Sequence, residues 1–183
     1  MTEPADRYRK VAAAFSDRVR AVPADRWDAP TPCEGWVARD VVRHLVEWVP
    51  AFFFGSWGIE LPPAPGVDED PVAAWLALDR ALQGALDDPE VARSERDTRM
   101  GRSSFEATLD MICTGDVLVH TWDLARATGL DEALDAEEVH RMLEGAEPLD
   151  QALRSSGHYG PRVDVADDAD EQTKLLAFLG RQP

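Results

Sequence analysis

At 183 residues the chain can bury one core without covalent staples, and its formal charge of −16, from 35 acidic against 19 basic residues, repels phosphate backbones and anionic lipid. That argues against nucleic acid as a partner, and no apolar run approaches the length of a membrane span. The first residues lack the basic start and apolar core of a signal peptide, and Cys33 and Cys113 are too few and too far apart for a disulfide scaffold, so the expectation is a soluble cytoplasmic protein.

Apolar residues at helical spacing (Tyr8, Val11, Ala12, Phe15, Val19, Val22) predict a first helix over 6–22, ended by Pro23. Residues 23–36 carry Pro30, Pro32 and Gly35 and read as an ordered loop whose Trp27 and Trp36 dock on the rest. A second helix is predicted over 37–57, with Pro50 kinking it so that its last part bends away or stops early. Phe53, Phe54 and Trp57 near that end read as exposed, which would make them a homodimer patch. After a Pro- and Gly-rich loop, a third helix is expected over 71–86, and 87–102 is a charged connection with room for a short hairpin. A fourth helix should start at Ser103 or Ser104, a capping residue, and run to Gly129. A fifth is expected over 135–153, an extended piece over 161–166, and a short last helix over 170–179. The fold class is therefore all-α: a helix bundle over 1–154, with a C-terminal extension over 155–183 packing on it.

Three polar side chains interrupt this apolar patterning. His44 lies in the seam Val37, Val41, Trp48, Phe52, while Asp116 and His120 lie in the seam Leu109, Ile112, Cys113, Leu124. At about 100° per residue each set projects from one helical face, so two imidazoles and a carboxylate point inward. Unpartnered burial of each costs roughly 1–3 kcal/mol or more. A divalent cation satisfies all three together. Imidazole and carboxylate donors suit zinc first and nickel or another first-row ion next, and three protein ligands leave a position open.

At these residues the chain resembles the DinB/YfiT-like metal-binding helical bundles, in the branch that contains mycothiol-dependent maleylpyruvate isomerase. The resemblance rests on Pro30-Thr31-Pro32-Cys33-Glu34-Gly35-Trp36 leading into His44-Leu45, and on Asp116 to His120 followed by Trp122-Asp123-Leu124-Ala125-Arg126-Ala127-Thr128-Gly129. The runs Asp167-Asp168-Ala169-Asp170 and Leu175-Leu176-Ala177-Phe178-Leu179-Gly180-Arg181 extend it through the C-terminal segment. It implies a DinB-like four-helix bundle, a divalent metal on His44, Asp116 and His120, and a low-molecular-weight thiol such as mycothiol as co-substrate. The chain departs from the isomerase pattern with Asp116 where Glu is expected, about 1.5 Å less reach, so that the site shifts, admits a water or weakens. A second departure is Val37 at a helix start that Ser or Thr would cap better.

The function this implies is a thiol-dependent S-transferase or isomerase acting on a small-molecule electrophile through a metal-activated thiolate. The alternatives are a metal-dependent hydrolase using bound water and a non-enzymatic metal- or ligand-binding protein. No residue stands out as a separate acid or base. Arg126 is the candidate for holding an anionic cofactor or substrate group, whereas Trp122 and Asp123 read as structural. Asp40, four residues before His44, either orients the imidazole or caps the helix. His140 reads as solvated. His158 is a remote candidate for a fourth ligand, and Cys33 reads as a small buried residue beneath the Trp-bearing loop.

Overall fold

Apolar side chains at three- and four-residue spacing build four long helices whose inner faces close on one core. The computed structural model describes residues 2–98, 101–155 and 160–183. Helix α1 (Glu3–Ala21) buries Tyr8, Val11, Ala12, Phe15 and Val19. Helix α2 (Ala38–Trp57) begins after Val37, whose side chain cannot cap; the Asp40 carboxylate accepts the Val37 N–H at 3.0 Å instead. Helix α3 (Pro71–Asp87) has Pro71 in its first turn and Asp70 as its cap, accepting from the Ala73 N–H at 2.9 Å. Helix α6 (Gly115–Thr128) ends at Gly129, whose φ of 75° takes the left-handed turn that glycine adopts most cheaply. α1 packs on α3 and α6, and α2 packs on the same two, which closes a four-membered ring. Among the described residues the chain is all-α apart from one small hairpin.

Between α3 and α6 lie α4 (Pro89–Ala92), the antiparallel strands β1 (Glu95–Thr98) and β2 (Gly101–Ser104), and α5 (Phe105–Thr108). This region corrects two expectations. The helix predicted from Ser103 or Ser104 to Gly129 is not uniform: Ser104 does cap α5, but a π-helical turn over Leu109–Thr114 separates α5 from α6. Such a wider turn shifts the phase of the helix and leaves little trace in apolar spacing. Phe53, Phe54 and Trp57 are buried rather than exposed, and Phe105 packs edge-on against the rings of Phe53 and Trp57. Trp57 donates its indole N–H to the Ser94 carbonyl at 2.9 Å. They offer no dimer surface. The same burial explains why α2 runs through Pro50 to Trp57: aromatic packing beyond the proline outweighs the one lost backbone bond.

A second layer covers the outer side of α6. Helix α7 (Ala136–Ala146) packs against α9 (Glu171–Phe178), and Val119 of α6 joins Val139, Leu143, Leu175, Phe178 and Leu179 in a satellite cluster. The fifth helix expected over 135–153 breaks at a 3-10 turn over Glu147–Leu149 before α8 (Asp150–Ser155), where Pro148 withholds the N–H that a continuing α-helix would use. Residues 161–166 form no strand; Val163 donates its N–H to the Ala177 carbonyl at 2.9 Å, tying the segment to α9.

Phe53 is fully buried and touches the rings of Trp48, Phe52, Trp57 and Phe105. Phe53→Ala should lower the unfolding free energy by about 3–5 kcal/mol, read as a lower urea midpoint at unchanged slope. A loss below about 1 kcal/mol would mean that Phe105 does not close over α2 as described.

Candidate metal centre

Sandwiched between the bundle core and the second layer, α6 is buried on nearly all sides from Val117 to Ala125. Any polar residue there needs a partner. His120 finds two on its own helix: Asp116, one turn earlier, places Oδ1 3.4 Å from Nε2, and Asp123, three residues later, places Oδ2 2.9 Å from Nδ1. From α2, His44 brings Nε2 to 3.2 Å from Asp116 Oδ2, and Trp48, one turn further on, donates its indole N–H to the same oxygen at 2.9 Å. The two imidazole rings lie 4.9 Å apart edge to face. Trp36, from the loop before α2, sits 5.2 Å from the His44 ring and stacks 5.8 Å from His120.

The three residues singled out from the sequence are thus brought together: one donor atom each from His44, Asp116 and His120 lies within 4.8 Å of the others. Their exposure is graded. His120 keeps 6% of its side chain open, while Asp116 and His44 keep 29% and 32%. The buried end is held by its partners and the open end faces solvent.

Electrostatics follows this arrangement. Burial works against a charged imidazole, but the Asp116 carboxylate and the hydrogen bonds with Asp123 and Cys33 outweigh it and raise His120 to about 10. Burial likewise works against the Asp123 anion, but hydrogen bonds from His120 and Arg181 hold it down at about 2. Asp116 is also lowered, by the charge of His120 and the hydrogen bonds from His44 and Trp48 acting against desolvation. Two carboxylates against the one Arg181 guanidinium leave a net negative charge at the centre, which a proton or a cation on His120 must balance.

Other candidates fall elsewhere. Arg126 pairs with Glu132 at 3.0 Å and lies 4.7 Å over the Trp122 ring, contacts that involve none of the three donors. Asp40 serves Val37 and Arg43, so its role is capping. His140 is exposed between Glu144 and Glu171. His158 lies outside the described residues. Cys113 is a core thiol, pushed well up by burial and by Asp116. Sequence reasoning missed Trp36, Trp48 and Arg181, and it read Asp123 and Cys33 as structural. The His120-x-x-Asp123 spacing was the one available signal.

The family model for the mycothiol maleylpyruvate isomerase N-terminal domain matches residues 8–52, which hold α1 from Tyr8 on, the Trp-bearing loop and the His44 turn of α2. Two uncharacterized proteins of Mycobacterium tuberculosis, from strains CDC 1551 / Oshkosh and H37Rv, are each 29% identical to the chain over 188 residues, covering 98% of it and 98% of themselves. No solved structure matches it significantly. These findings bear out the resemblance drawn from the motifs.

In protein stripped by a chelator, the raised His120 makes a proton on the imidazole stabilising. That contribution is full below the ordinary value of 6.5 and is lost as the pH rises through about 10. Urea unfolding across this window should show a falling free energy in the parental protein and a flatter one in His120→Gln. Equal slopes would reject the assignment.

Proposed function

We propose that the protein holds a divalent cation, zinc first among them, on His44, Asp116 and His120, and uses it in a thiol-dependent S-transfer or isomerisation of the mycothiol type. The observation that carries this reading is the convergence of three donor atoms within 4.8 Å at an otherwise apolar helix interface. The donor set fits the ion: two imidazoles and one carboxylate with a partly open side match a three-ligand catalytic site. With Nδ1 bonded to Asp123, His120 has only Nε2 to offer, and that atom faces Asp116. A bound cation would supply Lewis acidity, lowering the pKa of a thiol or water at the open position so that a nucleophile exists at neutral pH.

The remaining work falls to the chain. Trp36 lies against both imidazoles and Trp48 against His44, which bounds the site on those sides. Trp48 also lines, with Phe52 and Trp57, a cavity of about 420 Å³ next to the centre. Its aromatic walls and the Asp97 carboxylate at its edge suit an uncharged apolar electrophile. Arg126 can hold an anionic group only by giving up Glu132. The free Cys33 and Cys113 suit the reducing cytoplasm, where a low-molecular-weight thiol is at hand.

Elemental analysis of the purified protein should find one divalent ion per chain, and His120→Ala should lose it. Because proton and metal compete for His120, raised to about 10, zinc uptake at neutral pH should release a proton, read by calorimetry in two buffers of different ionisation enthalpy. Metal content unchanged in His120→Ala would refute the ligand set. Conjugation of an apolar electrophile should require added thiol; turnover without it would reassign the protein as a hydrolase, and full binding activity kept by the chelated protein would make it a non-enzymatic binder.

A further inference from the structure

Asp123 is fully buried, yet every oxygen it carries is used. Oδ2 accepts from His120 Nδ1 at 2.9 Å and from Arg181 Nη2 at 2.8 Å, and Oδ1 accepts from Arg181 Nε at 3.3 Å. Arg181 follows α9, so the last turn of the described chain reaches back 58 residues to the centre of the bundle. The Cys33 thiol completes the group, 3.4 Å from Asp123 Oδ2 and 3.7 Å from Arg181 Nη2.

Resting on the metal-site reading above, we infer that Asp123 and Arg181 are positioning residues for His120: the Asp123 carboxylate holds the Nδ1 proton, and Arg181 holds the carboxylate, so that Nε2 faces His44 and Asp116 as a free donor. A neutral imidazole has one protonated nitrogen and one lone pair, and whichever nitrogen is hydrogen-bonded as donor decides where the lone pair points. Were Nδ1 the free nitrogen, the donor set would lose one of its three members. Arg181 makes the arrangement sustainable, since it pairs a carboxylate that has no access to solvent and would otherwise stand as an unmet buried charge. The fork geometry matters: the guanidinium engages both oxygens of Asp123, which stops the carboxylate rotating and fixes the plane in which it meets the ring.

Cys33, His120 and Asp123 also bring donor atoms within 4.8 Å of one another, so a rival assignment would put the ion among them. The Arg181 guanidinium already stands there as the cation. Asp135, Glu137 and Glu138 show the same pattern, with Lys10 Nζ 3.1, 3.3 and 3.1 Å from the three carboxylates. In both groups a side-chain cation replaces a metal. At His44, Asp116 and His120 no arginine or lysine takes that place in the described contacts.

An amide at position 123 has one acceptor oxygen and cannot serve the ring and both guanidinium nitrogens. Asp123→Asn should therefore weaken zinc binding about 10–100-fold in chelator competition. Arg181→Gln should weaken it as well, and Arg181→Lys should recover part of that loss. In the metal-free parental protein the His120 Nδ1 proton should appear as a downfield resonance protected from exchange, and Asp123→Asn should lose it. This readout stands whether or not zinc binds, so absence of metal from the parental protein would sink the metal reading without deciding the positioning role. Zinc affinity within twofold of parental in Asp123→Asn, or an unchanged proton resonance, would overturn the inference. So would a sulfur-to-cobalt charge-transfer band in the cobalt-substituted protein that vanishes in Cys33→Ser, since it would place the ion on the other face of His120.

Discussion

One imidazole held between two carboxylates inside a helix interface constrains most of what surrounds it. Asp116, His120 and Asp123 occupy consecutive turns of α6, and the helix is packed from both sides. At His120 and Asp123 each charge must be met by another, because water does not reach them. The fold meets them in two directions. Toward α2, His44 and Trp48 converge on Asp116; toward the second layer, Arg181 closes on Asp123. His120 is the hinge between an open, donor-rich side and a closed, charge-balanced side.

This division gives the C-terminal elements a part in the site beyond covering the bundle. If α7 and α9 merely shielded the outer face of α6, their apolar contacts with Val119 would suffice. Instead the turn after α9 delivers a guanidinium to a carboxylate that has no solvent exposure. Removing that charge would strand a buried anion, a change costing more than the loss of the bond itself. The tail and the centre are therefore coupled energetically although only one residue of the tail touches it through Asp123.

The helices were legible because each carries a continuous apolar seam with capping or breaking residues at its ends, as Asp70 and Gly129 show. His44, Asp116 and His120 were legible for the opposite reason: they interrupt such seams. Asp123 also lies on α6, but an acid three residues after a histidine is what a surface ion pair looks like, and its burial depends on distant residues such as Cys33 and Arg181. Arg181 had no local signal at all, since its partner is 58 residues away. Phe53, Phe54 and Trp57 misled because the groups that meet the end of α2, the Phe105 ring and the Ser94 carbonyl, come from the short polar connection after α3, which carries no apolar periodicity to announce a cover. The π-helical turn before α6 escaped because Leu109 and Cys113 stay buried either way.

The shorter carboxylate at position 116 is better understood with Trp48 in view. An aspartate reaches less far from α6 than a glutamate would, by about 1.5 Å, and a shorter arm has fewer rotamers through which to search for a ligand. Trp48 fixes one of its oxygens: Oδ2 accepts the indole N–H at 2.9 Å and faces His44. Oδ1 is left toward His120. The loss of reach is thus offset by the position of α2, which brings His44 to the carboxylate rather than requiring the carboxylate to extend, and by a hydrogen bond that orients it before any ligand arrives. A glutamate there would have to fold back to keep the Trp48 bond. The indole and the aspartate are matched to each other, and the same indole forms a wall of the adjoining cavity, so what enters that cavity acts on the ring that orients a donor.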